Sequence, residues 1–239
     1  MEELEFWLTH SRAQYRDRSK PMVSLCYAQS LDGSLTLRRG QPTRLSGPES
    51  GMLTHQLRAA HEAILVGVGT VLADNPRLTV RLAKGNHPQP LVLDSNLRIP
   101  VNSDLLTRHP LKPWIATTSE SPAEKRAALE AAGARLLILP ANSDGRVDLS
   151  ALLARLAALG IGSLMVEGGA QVITSFLKEE LVDRAILTIA PVFLGGLPVV
   201  EPGMAGSDAG RFPRLEEVGC RRLGKDLIIW GKVVYREVI

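Results

Sequence analysis

"LMVEGGAQVITSFL", Leu164 to Leu177, is the stretch on which the reading of this chain turns. A short apolar run ends in the carboxylate Glu167. The glycine pair Gly168-Gly169 follows, and then a segment with helical spacing. Glycine has no Cβ, so the backbone can turn sharply there and a ligand can come close to the main chain. A helix that opens immediately afterwards points free N–H groups and a partial positive charge at whatever lies in front of it. By itself the pattern fits a tight strand-to-helix turn as well as it fits an anion cradle.

A second strand end of the same kind stands upstream. "AILVGVGTVLADNP", Ala63 to Pro76, runs an apolar strand into Gly67 and Gly69, then Thr70 and Asp74-Asn75-Pro76. It begins like the dinucleotide fingerprint GxGxxG but carries Leu72 at the third glycine position, which disfavours a Rossmann domain. Around these two segments short apolar strands alternate with helices. "MVSLCYA", "EAILVGVG", "QPLVLDS", "KPWIATT", "ARLLILP", "GSLMVEGG" and "VDRAILTIAP" read as strands. "SGPESGMLTHQLRAAH", capped at Ser46 or Gly47, is helical, as is "SPAEKRAALEAAG", capped at Ser121 and stopped by Gly133. "DLSALLARLAALG" and "AQVITSFLKEEL" complete the helices. This order predicts an α/β domain with a mostly parallel central sheet covered on both faces. Two strand-like runs joined at Gly224-Lys225-Asp226 predict an antiparallel hairpin at its end. Residues 1–20 read as an amphipathic arm packing through Leu4, Phe6, Trp7 and Leu8, and residues 21–239 as one domain. The glycine- and proline-rich stretch 195–213 reads as a long loop, a place where lids occur.

Composition narrows the function. The chain has 239 residues, a net charge of +3 and 4% aromatics, so it lacks the basic mass and stacking surfaces of a nucleic-acid platform. The two cysteines and five histidines fall in no zinc-type spacing, so neither a metal site nor a disulfide scaffold is expected. No apolar run is long enough for a membrane span, and the first twenty residues lack a signal-peptide core, which predicts a cytoplasmic protein. Arg58, Arg77 and Arg81 supply cations near the glycine turns, and arginine's planar fork suits phosphate oxygens. Asp32 and Glu167 are carboxylates at strand ends, although Asp32-Gly33 is equally a turn signal.

Four ordered segments, "VSLCYAQSLDGSL", "SGPESGMLTHQLRAAHEAILVGVGTVLADNPRLTVR", "VLDSNLRIP" and "MVEGGAQVITSFL", resemble the pyrimidine reductases of riboflavin biosynthesis, from about Pro21 onward. The resemblance implies a dihydrofolate-reductase-like, three-layer fold and a homodimer. It also implies reduction, by NADPH, of the ribose of a ribosylamino-pyrimidine 5′-phosphate to ribitol. It implies cofactor contacts at Thr70, Asp74, Ser95, Gly168, Gly169, Ala170, Gln171 and Val172. Substrate contacts map to Ser46, Arg58, Leu78, Arg81 and Glu167, with the arginines on the phosphate. Asp32 and Glu167 are the candidate catalytic residues for proton delivery. The H-x-E and P-C-x-x-C signature of the fused deaminase is absent from this sequence, so deamination is not expected.

Two departures bear on the substrate. Cys26 stands where the fused bacterial enzymes carry lysine, and with Tyr27 and "AQSLDG" this segment is more similar to the standalone branch; Arg44 stands where the fused enzymes often carry an aromatic residue, which bears on the nicotinamide-side contacts. If Cys26 faces the pyrimidine, it favours a carbonyl-bearing ring less than lysine would, and so points to the diaminopyrimidinone rather than the deaminated aminouracil. Two other readings stay open: a reductase of the same fold acting on a pterin or another pyrimidine, and a non-catalytic nucleotide-binding module.

Overall fold

The computed structural model describes residues 2–15, 17, 19–202 and 211–237. Its elements are α1 (Glu2–Gln14), β1 (Met22–Ser30), β2 (Ser34–Thr36), α2 (Pro48–Ala60), β3 (Ala63–Gly67), α3 (Val68–Asp74), β4 (Gln89–Leu93), α4 (Asp104–Thr107), β5 (Trp114–Thr118), α5 (Ala123–Ala131), β6 (Arg135–Leu139), α6 (Leu149–Ala158), β7 (Ser163–Gly168), α7 (Ala170–Lys178), β8 (Arg184–Ala190), β9 (Leu197–Pro198), β10 (Arg211–Leu223) and β11 (Asp226–Glu237). A nine-stranded sheet runs β10-β11-β8-β1-β7-β3-β4-β5-β6, and β2 with β9 makes a separate small sheet. The strands from β8 to β6 in that order pair in parallel; β11 joins β8 antiparallel and β10 closes the hairpin.

Continuous apolar strands demand cover on both faces, and two buried clusters provide it. Met22, Ile64, Val66, Val92, Ile115 and Met165 meet Leu4 and Leu8 of α1, Leu53 and Leu57 of α2, Val71 of α3 and Leu129 of α5 on one face. Val23, Leu25, Leu65, Leu91, Leu164 and Val166 meet Leu152 and Leu156 of α6 and Ile173 and Phe176 of α7 on the other. Neighbouring residues of one strand thus feed opposite cores, as the two-residue period requires. The three-layer, mostly parallel architecture with its antiparallel end is the one expected from the sequence.

Several local expectations need correction. The strand expected through Gly69 ends at Gly67, where α3 begins. Ser121 does not cap α5; Pro122 holds the N-cap position, and the Ser121 hydroxyl donates to Thr118 O at 2.8 Å. Gly47 is the N-cap of α2 without a side-chain cap of its own. The buried carboxylate of Asp226, in the C-terminal hairpin, accepts from Gly47 N at 2.7 Å and Ser50 Oγ at 2.6 Å instead. In α1, Leu4 and Leu8 enter the core but Phe6 is 72% exposed, stacked on His10, and Trp7 lies under the Arg184 guanidinium. Of the expected loop 195–213, residues 203–210 lie outside the described residues; 197–198 form β9 and 211–213 already belong to β10.

The strand order also sets the place of a cleft. From β3 the chain moves outward through β4, β5 and β6; it then returns to place β7 on the other side of β3 and continues to β8 beyond β1. The connections after β3 and β7 diverge, so a crevice opens at the carboxyl ends of these neighbours.

Candidate active site

The crevice is a cleft of about 1510 Å³, more than the ~300–1,000 Å³ of a single small-molecule site. Its floor is made by strand ends: Tyr27 and Ala28 of β1, Gly67 of β3, Asp94 and Ser95 after β4, and Glu167 and Gly168 of β7. Its outer wall comes from the small sheet and its flanks, through Leu35, Thr36, Leu197 and Pro198.

The glycines have distinct reasons to be there. Gly168 and Gly169 have φ of 146° and 93°, conformations that L side chains rarely adopt. Gly169 is the N-cap of α7 and supplies no side-chain cap, so the first N–H groups of that helix face the cleft without one. At Gly67 a Cβ would stand 2.8 Å from Val172 Cγ2, so the missing side chain is what lets α7 lie close to β3. Gly69 is different: nothing lies within 4 Å of its absent Cβ, although it lines the cleft. A side chain there would meet open space, so no clash accounts for this glycine. Thr70 Oγ1 is 3.4 Å from the place a Gly169 Cβ would occupy, which brings the two glycine segments face to face. Two backbone cradles with open N–H groups fit a dinucleotide pyrophosphate.

Glu167 is aimed by the backbone. Leu65 pairs with Val166 and the next residue, Val66, with Gly168, which leaves Glu167 as the extra residue of a bulge. Bulges re-aim side chains, and this one turns the carboxylate into the cleft. There it meets Arg58 from α2: Nε donates to Oε2 at 2.7 Å and Nη2 donates to Oε1, a bidentate pair, while Nη1 donates to Thr79 O at 3.1 Å. Arg58 is only 8% exposed; burial works against its charge, but Glu167 outweighs that and raises its pKa. Asp74, also lining the cleft, has its carboxyl pushed up by burial and then by the Glu167 charge.

The expected substrate residues divide. Arg58, Leu78 (buried, with φ 53°) and Glu167 line the cleft. Arg81 and Ser46 are not among its lining residues. Arg81 donates from Nη1 to Thr79 Oγ1 at 2.7 Å and from its main chain to His55 Nδ1 at 2.9 Å. Its basicity is pulled down by burial and then by the charges of Arg58 and Arg77, so it adds to a concentration of positive charge beside the cleft. Ser46 is half-buried just before the start of α2. All the expected cofactor residues, Thr70, Asp74, Ser95, Gly168, Gly169, Ala170, Gln171 and Val172, line the cleft. Ser95 Oγ accepts from Val147 N at 3.1 Å, tying the β4 end to the loop before α6.

Two expectations fail on placement. Asp32 does not line the cleft, and its carboxylate accepts from Ser30 Oγ, Ser34 Oγ, Leu194 N and Gly195 N. Those donors hold its pKa well below the usual carboxylate range. Cys26 is buried beside Ile186 in the core, on the strand face opposite Tyr27, and burial pushes its thiol up. It is not among the residues that line the cleft. Cys26, buried outside the cleft lining, gives no ground for preferring the diaminopyrimidinone.

Beyond the expected residues, four more arginines among the described residues line the cleft: Arg39, Arg44, Arg98 and Arg146. Gln171, with its amide oxygen turned toward Arg146, accepts from both Nη1 and Nη2 at 3.1 Å. "DSNLRIP" contains Arg98, but no local signal marks Arg146, which follows an ordinary Asp-Gly turn.

The family described as the RibD C-terminal domain matches residues 21–229. The chain is 35% identical over 225 residues to the 2,5-diamino-6-ribosylamino-4(3H)-pyrimidinone 5′-phosphate reductase of Aquifex aeolicus, covering 90% of this chain and 97% of that protein. It is also 35% identical over 220 residues to the riboflavin biosynthesis protein RibD of Aquifex aeolicus, covering 91% of this chain but 59% of that longer protein. Among solved structures, the riboflavin biosynthesis reductase Rib7 of Saccharomyces cerevisiae superposes with a TM-score of 0.77 at 30% identity, over 98% of this chain and 100% of that one.

Proposed function

Because the chain belongs to the RibD C-terminal domain family, we propose that it is an NADPH-dependent reductase of riboflavin biosynthesis. It would convert the ribosyl group of 2,5-diamino-6-ribosylamino-4(3H)-pyrimidinone 5′-phosphate to the ribityl group. The observation that carries this reading is the bulged, Arg58-clamped Glu167 on the cleft floor, between two glycine-opened helix starts, in a chain that covers 97% of the length of a reductase it resembles.

NADPH, when bound, would supply the hydride. Gly168, Gly169, Ala170, Gln171 and Val172 would hold its pyrophosphate at the start of α7, with Thr70, Asp74 and Ser95 as further contacts. Glu167 would orient the opened sugar or its imine so that C1′ faces the hydride, while Arg58 keeps the carboxylate in place. Arg81, which stands beside the cleft rather than in its lining, would turn from Thr79 to take the 5′-phosphate, since a dianion relieves its repulsion with Arg58 and Arg77. No helix among the described residues is long and apolar enough to cross a membrane, which is compatible with a cytoplasmic enzyme. A homodimer and a division into an arm (1–20) and a reductase domain (21–239) belong to the same proposal.

The test is loss of reduced-nicotinamide absorbance on adding each pyrimidine phosphate. The proposal predicts turnover with the diaminopyrimidinone. The deaminated aminouracil, which the sequence resemblance leaves open, is the second substrate to try. Turnover with neither, in a protein that binds NADPH, would refute it.

A further inference from the structure

The motif that the proposed chemistry leaves unused is "SLDGS" together with "LGG", Ser30 to Ser34 and Leu194 to Gly196. Although 162 residues apart, they form one hydrogen-bonded knot. Asp32 Oδ1 accepts from Ser30 Oγ at 2.5 Å and from Leu194 N at 2.9 Å; Oδ2 accepts from Gly195 N at 2.7 Å and from Ser34 Oγ at 3.0 Å. Gly196 N donates to Ser34 Oγ at 3.0 Å, and Val199 N to Gly33 O at 2.9 Å. The glycines are needed for this approach. Gly195 has φ 60°, and a Cβ on Gly196 would overlap the backbone of Thr36.

Immediately beyond the knot, both chains become the cleft's outer wall. One continues into β2 with Leu35 and Thr36, the other into β9 with Leu197 and Pro198. The second chain then anchors on α7, where Glu201 N donates to Thr174 Oγ1 at 2.9 Å. α7 is the helix whose first turn carries the glycine cradle. Outside the knot, the ladder between β2 and β9 has only Ser34 opposite Pro198 and Thr36 opposite Leu197. Proline donates no hydrogen bond, so beyond the knot the wall's polar cross-links among the described residues come down to this short ladder and the exposed Arg39–Glu201 ion pair at 3.2 Å.

We propose that Asp32 is a positioning residue: its carboxylate clasps the two segments of the outer wall and so sets the width of the cleft in which cofactor and substrate bind. A carboxylate with four donors is saturated, and charge-assisted bonds to backbone N–H groups are strong for their size. The low pKa of Asp32 keeps the clasp ionised at neutral pH.

The inference rests on the proposed reductase reading only for the identity of the ligands. Its test therefore combines hydrogen exchange with binding and kinetics, on the full chain, for the wild type, Asp32→Asn and Ser34→Ala. In the wild type the amides of Leu194, Gly195 and Gly196 should be protected. In Asp32→Asn they should exchange faster, with Kd for NADPH and KM for the pyrimidine phosphate rising about tenfold and kcat moving far less. Ser34→Ala, which removes one link to Asp32 and the acceptor of Gly196 N, should shift the same quantities less. Unprotected Leu194 and Gly195 amides in the wild type would overturn the clasp, whether or not Asp32→Asn folds. So would a collapse of kcat in Asp32→Asn with Kd, KM and exchange unchanged, the signature of a catalytic acid. If the wild type turns over neither pyrimidine, the exchange and NADPH-binding readouts still decide the clasp.

Discussion

At Glu167 a backbone irregularity and an ion pair act on one carboxylate. The bulge turns it into the cleft, and the guanidinium of Arg58 fixes both oxygens. Replacing Arg58 with methionine keeps much of the side-chain volume but frees Glu167. We expect kcat/KM to fall roughly ten- to a hundredfold, the worth of charge-assisted bonds of ~1.5–3 kcal/mol, while Kd for NADPH moves much less. Parallel losses in both would make Arg58 a general stabiliser. Gly169→Val places a β-branched side chain at φ 93° and against Thr70, and should weaken NADPH binding at least about tenfold. Normal NADPH binding by the folded variant would reduce the glycine pair to a turn. Arg81→Ala should raise KM for the phosphorylated substrate about ten- to a hundredfold without matching change in cofactor affinity; an unmoved KM removes Arg81 from the phosphate site. The glycine pair and Glu167 were legible in the sequence because glycine's meaning is local. The partnership of Glu167 with Arg58, 109 residues away, was not. Nor was the burial of Cys26, since side chains alternate along β1 and sequence alone does not say which face meets the cleft.

At the scale of elements, the alternation of strands and helices was legible because each has its own hydrophobic period. The helix starts were less so, because caps can come from anywhere in the chain. α2, which carries Arg58, is capped by Asp226 from the terminal hairpin, and nothing within "SGPESG" announces it. Asp226→Ala leaves Gly47 N and the Ser50 hydroxyl without this acceptor. It should cost about 1–2 kcal/mol, lowering Tm by roughly 2–8 °C. An unchanged Tm would mean that α2 does not depend on the hairpin. α3 escaped the sequence reading because "VGTVLAD" continues the apolar run of β3 and is only seven residues long.

The whole molecule couples the two cores through one sheet, and its stability should respond to acid through buried imidazoles. Burial pushes His61 from 6.5 down to about 4, and His55 and His109 shift in the same direction. The unfolded chain takes up these protons at the ordinary histidine value, the folded chain only at lower pH. The contribution of His61 is therefore complete above pH 6.5 and declines as pH falls toward about 4. The slope is at most about 1.4 kcal/mol per pH unit for one group. Denaturant unfolding across that range should show this decline, and His61→Gln should flatten it; a variant with the wild-type slope would assign the pH dependence elsewhere. At this scale too, a cleft at the β3/β7 divergence was foreshadowed by two glycine-bearing strand ends, whereas the wall built by Asp32 and Gly195-Gly196 needed the tertiary structure. The proposed reaction is delivery of hydride, in the cleft, to the sugar carbon of a phosphorylated pyrimidine. It is tested most directly by supplying NADPH deuterated at the transferable position of the nicotinamide and locating the label by mass spectrometry and NMR. The account predicts one deuterium at C1′ of a ribitylamino-pyrimidine phosphate, formed by the wild type and lost in Glu167→Gln. Label elsewhere in the product, or unchanged substrate beside NADPH-bound protein, would contradict it.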